Sequence, residues 1–154
     1  MVKLSQKFVR KLLDIYKPVY RYLRSAEIEF PRARGTFLVP YAEYLNENIG
    51  HFTNTEACIC LNQLCYVFFA HGVKEGIWNN INLEEFLSLR NENMFIVSSN
   101  YKFRRVINPR ETNINGQIEL IKLRKCKDFY IAKLDFSFEN KVIYGNLELI
   151  LKLK

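Results

Sequence analysis

The sequence predicts an α+β domain in which a curled antiparallel sheet wraps one long apolar helix, with an extra helix at the N-terminus. Three observations carry this. Residues 57–70 are apolar on every side of a helix, the mark of a buried one. The last third of the chain changes to a period of two, the mark of strands. Finally, 154 residues with 49% hydrophobic and 14% aromatic side chains suffice for one sizeable core. That richness excludes a disordered chain, and six Gly with four Pro are too few for a linker or low-complexity protein.

The elements follow in order. From Lys3 to Arg24, Phe8, Leu12, Ile15 or Tyr16 and Val19 recur at helical spacing between Lys7, Arg10, Lys11 and Asp14, and Pro18 should end or kink the helix. Such a basic amphipathic helix can lie on a membrane surface, but packing against its own domain is the favoured reading. Ile28 to Tyr44 reads as extended, punctuated by Pro31, Gly35 and Pro40, with its clearest strand at Thr36–Val39. Asn46–Gly50 is a loop by composition. Thr53 followed by Glu56 fits a capping box that opens the apolar helix, which should end near His71–Gly72. Asn79 to Arg90 reads as a connection plus a short helix, Leu83–Leu89, capped by Asn82.

Four strand runs close the chain: Met94–Val106, Gln117–Lys125, Asp128–Phe138 and Val142–Lys152. Tyr130, Ala132, Leu134, Phe136 and Phe138 share one face, and Leu147, Leu149, Leu151 and Leu153 alternate likewise. Turn signals at Asn108-Pro109, Asn115-Gly116 and Glu139–Lys141 separate the runs. Four consecutive strands plus the one near Thr36 make a sheet of about five. A flat sheet buries only half of an all-apolar helix, so this one must curl around it, as a strongly twisted sheet can. That is the hot-dog fold. The expected organisation is an N-terminal helix, residues 1–24, packed on a single domain, residues 25–154. Edge-to-edge pairing into a homodimer or higher homo-oligomer would protect a sheet edge.

Charge and composition narrow the partners. Lys plus Arg is 23 against 16 acidic residues, giving +7. This favours acidic partners, but the basic residues are spread over helix and strands, so a nucleic-acid partner is not expected. The N-terminus lacks a secretory h-region, and the 57–70 run is too short to span a bilayer, which takes about 20 apolar residues. Cys58, Cys60, Cys65 and Cys126 match no zinc spacing and read as buried reduced thiols of a cytoplasmic protein, with no metal expected. His51 and His71 lie too far apart on the helix to share one, and His71 should serve the helix dipole.

The candidate site starts from polar residues in costly places. Asn62 and Gln63 interrupt the apolar helix, and an unpaired buried amide costs roughly 2–7 kcal/mol. Either both are tied to backbone or water, or one lines a reaction chamber. The helix start supplies free N–H groups that favour an oxyanion. Gly50 and His51 run into it, Thr53 and Asn54 bring a hydroxyl and an amide, Tyr41 and Tyr44 precede it, and Glu56 sits one turn in, as a base or as a capping partner. A thioester carbonyl placed there would be polarised.

Gly50-His51-Phe52-Thr53-Asn54-Thr55-Glu56, followed by Cys60-Leu61-Asn62-Gln63-Leu64-Cys65-Tyr66, resembles the FcoT-type thioesterase family of hot-dog proteins. Tyr101–Arg105 with Asn108-Pro109 resembles a strand and following loop of the wider hot-dog superfamily. The resemblance implies action on long-chain acyl thioesters, with Asn62 matching the family's helix Asn and Tyr44 its Tyr. Thr53 stands where the family has a loop Asn. It implies water attack on the thioester with no acyl-enzyme, and so a thioesterase with Tyr44, Thr53 and Asn62 as catalytic residues. Gly50, His51, Asn54, Glu56, Arg104 and Arg105 are the expected substrate-binding residues. Some members add glycine to an α,β-unsaturated acyl-carrier thioester, with Arg104 or Arg105 able to hold the glycine carboxylate. A non-catalytic acyl-CoA-binding module is a further alternative. No cofactor is expected beyond the coenzyme A or phosphopantetheine of the substrate. Arg104, Arg105, Arg110, Lys122, Arg124 and Lys125 are candidates for its phosphates or for an acidic carrier protein.

Overall fold

The computed structural model describes residues 1–41, 44–78 and 81–152, without the side chains of residues 90, 91 and 93. The expected alternation through Leu153 and the connection at Asn79 run into positions outside these.

The chain enters through a short strand β1 (Val2–Lys3) and helix α1 (Gln6–Leu12), capped by Ser5, whose hydroxyl accepts from the Phe8 N–H. α1 is much shorter than the helix expected to Arg24. Single 3-10 turns follow at Leu13–Ile15 and Pro18–Tyr20, because Pro18 cannot continue an α-helix. Strand β2 (Leu23–Glu29) then begins where helix was expected, so the expected boundary after residue 24 falls inside a strand. β2 hid from the period-two pattern because its register shifts between Leu23 and Ser25, which puts Leu23, Ala26 and Ile28 inside at uneven spacing. β2 turns at Phe30-Pro31 into β3 (Arg32–Phe37), so the expected single extended stretch is a hairpin.

Helix α2 (Asn54–Lys74) is the rod of the fold, and the expected capping box at Thr53 and Glu56 is formed. Cys60, Leu61, Leu64, Cys65, Val67, Phe68 and Ala70 are all fully buried. Burying one such large apolar side chain contributes about 1.5–3 kcal/mol. By length and composition α2 could cross a membrane, yet 78% of its apolar window is buried within the domain, so it is the core helix here. A short helix α3 (Leu83–Asn93), with its own capping box at Asn82 and Glu85, leads into β4 (Met94–Phe103). β5 (Ile114–Lys125), β6 (Phe129–Phe138) and β7 (Ile143–Lys152) complete the chain.

The sheet is antiparallel and seven-stranded, in the order β1-β2-β3-β5-β6-β7-β4. The added strands β1 and β2, the second forming a hairpin with β3, raise the count from the expected five to seven. β4 does not neighbour β5. Residues 104–113 cross in front of the start of α2 and carry the chain from one sheet edge, β4 on β7, to the β5 position beside β3. Asn115-Gly116 lies inside β5 and is not a turn. Gly116 faces Gly35 of β3 in register, and a Cβ on either would strike Leu23, Phe37 or Phe138. Two facing glycines therefore let the sheet close down onto the core. The face predicted on β6 is buried as expected, from Tyr130 to Phe138, as are Leu147, Leu149 and Leu151.

Candidate functional site

The start of α2 is built from the approach loop, described over 38–41 and 44–53, the first turn of the helix, and the crossing loop 104–113. Thr53 has extended backbone angles (φ −93°, ψ 166°), so its side chain can fold back over the first turn. Its Oγ1 accepts from the Glu56 N–H at 3.3 Å, and its own N–H donates to Glu56 Oε2 at 3.1 Å. The Ala57 N–H already bonds the Thr53 carbonyl. Among the described residues, that leaves the N–H groups of Asn54 and Thr55 as the open donors of the helix end. Tyr44 Oη lies 2.7 Å from Thr53 Oγ1. Burial holds the Tyr44 phenol above its usual range, against the pull of its bond to Thr53, so it stays a protonated donor at neutral pH.

A cleft of about 540 Å³ opens in front of this tip, lined by His51, Phe52, Thr53, Asn54, Tyr101 and Phe103. The N–H of Phe52 donates to the Ile107 carbonyl at 2.8 Å, which fastens the crossing loop to the tip. The strand wall is aromatic because alternate residues of β4, Tyr101 and Phe103, turn the same way. The Tyr101 hydroxyl is sealed from solvent beside Cys58 and Ser99, and burial raises its pKa beyond the reach of neutral pH.

Glu56 is not a free base. It is fully buried, one carboxylate oxygen closes the capping box, and the other meets Arg110 Nη2 at 2.7 Å. Arg110 is therefore no surface contact for a phosphate either, its side chain being only 11% exposed. Its Nε donates to Asn48 Oδ1 at 2.8 Å and its Nη1 to the Val39 carbonyl at 3.2 Å.

The structure thus brings Tyr44, Thr53, His51 and Asn54 together and seats Glu56 behind them. Gly50 is exposed in the approach loop, with open space around it. Asn62 stands apart. It lies nine residues further along α2, about 13.5 Å of helical rise, is half-buried, and its amide reaches back to Cys58 Sγ at 3.8 Å. Gln63 is structural: its Oε1 accepts from the Leu23 N–H at 2.9 Å and its amide donates to the Tyr20 carbonyl at 2.5 Å, pinning β2 to the rod. Arg104 and Arg105 are exposed and do not line the cleft. Arg104 lies over the Tyr144 ring at 4.9 Å and pulls that phenol's pKa down by hydrogen bonding. Lys102 of β4 lies over the same ring at 5.9 Å.

His71 does not serve the helix dipole as a cation, because burial lowers its pKa and leaves it neutral at pH 7. Cys60 and Cys65 are buried and Cys58 and Cys126 half-buried, all as free thiols. Among the described residues no group of three His, Cys, Asp or Glu is placed to hold a metal. Two contributors escaped the sequence reading: Tyr101 with Phe103, whose alternation carried the signal, and Arg110 as a buried partner, for which a lone basic residue in a loop carried none.

A helix wrapped by a curled sheet, with a hydroxyl pair and open N–H groups at its exposed tip, defines a hot-dog protein of the thioesterase-like kind. The profile of the FcoT-like thioesterase domain matches residues 11–143, and the chain belongs to that family. A (2E)-enoyl-[ACP] glycyltransferase of Streptomyces coeruleorubidus is 31% identical over 75% of this chain and 72% of its own length. One from Mycobacterium marinum is 33% identical over 68% of this chain, which spans 54% of that protein. Among solved structures, the dehydratase heterocomplex of Xenorhabdus doucetiae shares the fold, with a TM-score of 0.61 at 13% identity over 95% of this chain and 91% of that one.

Proposed function

We propose that the cleft at the start of α2 binds the carbonyl of an acyl thioester and that the reaction is addition of glycine to a 2-enoyl thioester borne by an acyl carrier protein. The observation that carries the reading is the Tyr44–Thr53 hydroxyl pair, at 2.7 Å, beside the open N–H groups of Asn54 and Thr55. Donors fixed in advance where negative charge develops are the largest single contribution to many catalysed reactions. The glycine amine attacks the β-carbon, forming a C–N bond. The π electrons move to the carbonyl oxygen as an enolate, which these donors stabilise, and the proton shed by nitrogen ends on the α-carbon. The thioester is kept.

Two facts favour amine addition over hydrolysis. The relatives are named for glycyl transfer. Glu56 is locked in an ion pair, and among the described residues no carboxylate lines the cleft where it could activate a water. Hydrolysis remains the second reading, favoured by the description of the family and served by the same polarised carbonyl. Asn62 keeps its implied catalytic role only if a substrate reaches two and a half turns along α2, and Asn62→Ala decides it. β4 leaves a ten-residue edge with Phe95, Val97 and Phe103 exposed, and on this reading a second copy pairs there.

The test is to incubate the protein with a 2-enoyl thioester, on carrier protein and on coenzyme A, with and without glycine. Loss of the conjugated enoyl absorbance that requires glycine, with no thiol release, supports addition. Thiol release without glycine replaces it with hydrolysis. Tight binding with neither change makes the domain a binding module.

A further inference from the structure

Three of the links that shape the tip converge on one side chain. The guanidinium of Arg110 touches the exit of β3 at the Val39 carbonyl, the approach loop at Asn48 and the first turn of α2 at Glu56, each through a different nitrogen. Its own backbone is held in turn, since the Arg110 N–H donates to Asn108 Oδ1 at 3.1 Å. Tyr44 lies on the loop between the first two contacts, and Thr53 lies between the second and third. The planar fork of an arginine can hold three such points in fixed relation, which a lysine cannot.

A buried ion pair is weak evidence for stability. Charges taken from water recover their desolvation cost only with good geometry, and apolar replacement of both partners is often neutral or better. Glu56 does not need Arg110 to cap α2, because a glutamine closes the same box. The pair is thus hard to explain as a device for stability alone, and what it adds is fixed geometry.

We propose that Arg110 is the positioning residue of the site: through Val39, Asn48 and Glu56 it sets the placement of Tyr44 against Thr53. The inference rests on the reading that those two hydroxyls act at the substrate carbonyl. Arg110 does not line the cleft and acts only through them.

The test is the double variant Glu56→Gln/Arg110→Met, which removes both charges at once and keeps the capping box. Its thermal midpoint should match that of the wild type, while kcat on a 2-enoyl thioester falls about 10²-fold, the usual cost of misplacing catalytic groups by an ångström, with little change in KM. Arg110→Lys, which keeps the charge and loses the fork, should lose activity comparably. A double variant with wild-type kcat would show that Arg110 merely neutralises Glu56 and would overturn the proposal. Amide hydrogen exchange over residues 44–56 gives a readout that needs no substrate. Faster exchange there in a double variant of unchanged midpoint supports the proposal, and unchanged exchange overturns it. A wild type inactive on every thioester would instead sink the functional reading, while exchange still decides the role of Arg110.

Discussion

The two ends of α2 are built on opposite physics. At its C-terminal end Phe69, Val73 and Trp78 meet Ile81, Phe86, Met94 and Tyr130 around a void of only about 30 Å³. Phe69 packs at ring distances of 5.2 Å on Phe68 and 5.6 Å on Trp78, and the Trp78 N–H donates to the Phe69 carbonyl. Trp78 also lies so close over Gly72 that no Cβ would fit there. At its N-terminal end the helix faces a cleft of about 540 Å³, holds a buried carboxylate and leaves N–H donors open. One end gains by excluding water from a nearly all-apolar lining. The other retains features that cost folding energy, and such features persist where function needs them.

Truncation should separate the ends most sharply. Phe69→Ala should cost about 3–5 kcal/mol by denaturant melts, with activity per folded molecule unchanged. Arg110→Met alone should cost a similar amount, about 3–5 kcal/mol, because it strands a buried charge on Glu56, and here activity should fall as well. Equal activity losses at the two ends would erase the distinction.

Removal of one oxygen from the tip comes next. Tyr44→Phe should leave stability within about 0.5 kcal/mol yet lower kcat about 10²–10³-fold, the usual loss of one donor to an oxyanion. Since burial raises the Tyr44 pKa, the rate should climb with pH as the glycine ammonium ionises, and no falling limb from Tyr44 should enter below about pH 10. A falling limb there that vanishes in Tyr44→Phe would refute the assignment.

Gln63 lies between the two regimes. Gln63→Leu should cost about 1–3 kcal/mol for each of the two backbone groups it strands, at Leu23 and Tyr20, with kcat intact. A loss of turnover without a loss of stability would move Gln63 into the site.

What the sequence disclosed and what it hid follow the same divide. The rod, its capping box, the buried face of β6 and the final strands were legible because each rests on local periodicity or on a spacing of three residues. The start of β2 was not, because a bulge at Leu23/Ser25 breaks the period and the preceding segment mimics a helix. Nor was the place of β4 beside β7, which depends on where a long connection crosses. At the tip the Thr53–Glu56 relation was readable, whereas Arg110 is 54 residues from Glu56 in the chain, and no local pattern announces such a pair. Asn62 and Gln63 looked alike in sequence, and only packing shows that one is fully tied to backbone and the other is half-exposed.

The smallest expected effect is at the far end. His71 is neutral in the fold because burial lowers its pKa, while the unfolded chain takes up a proton near pH 6.5. Its contribution to stability is therefore intact above pH 6.5 and lost as pH falls below it. The thermal midpoint should drop modestly between pH 7 and 5, and His71→Gln should flatten part of that slope. A slope unchanged by the substitution would place the titration elsewhere.

Polarisation of the carbonyl is measured most directly by difference infrared spectroscopy of a thioester labelled with ¹³C at its carbonyl, bound to the wild type and to Tyr44→Phe. On the wild type the stretch should lie at lower frequency than in water, and on the variant the shift should be smaller. A bound carbonyl that absorbs as it does in water, or one that shifts equally in both proteins, would contradict it.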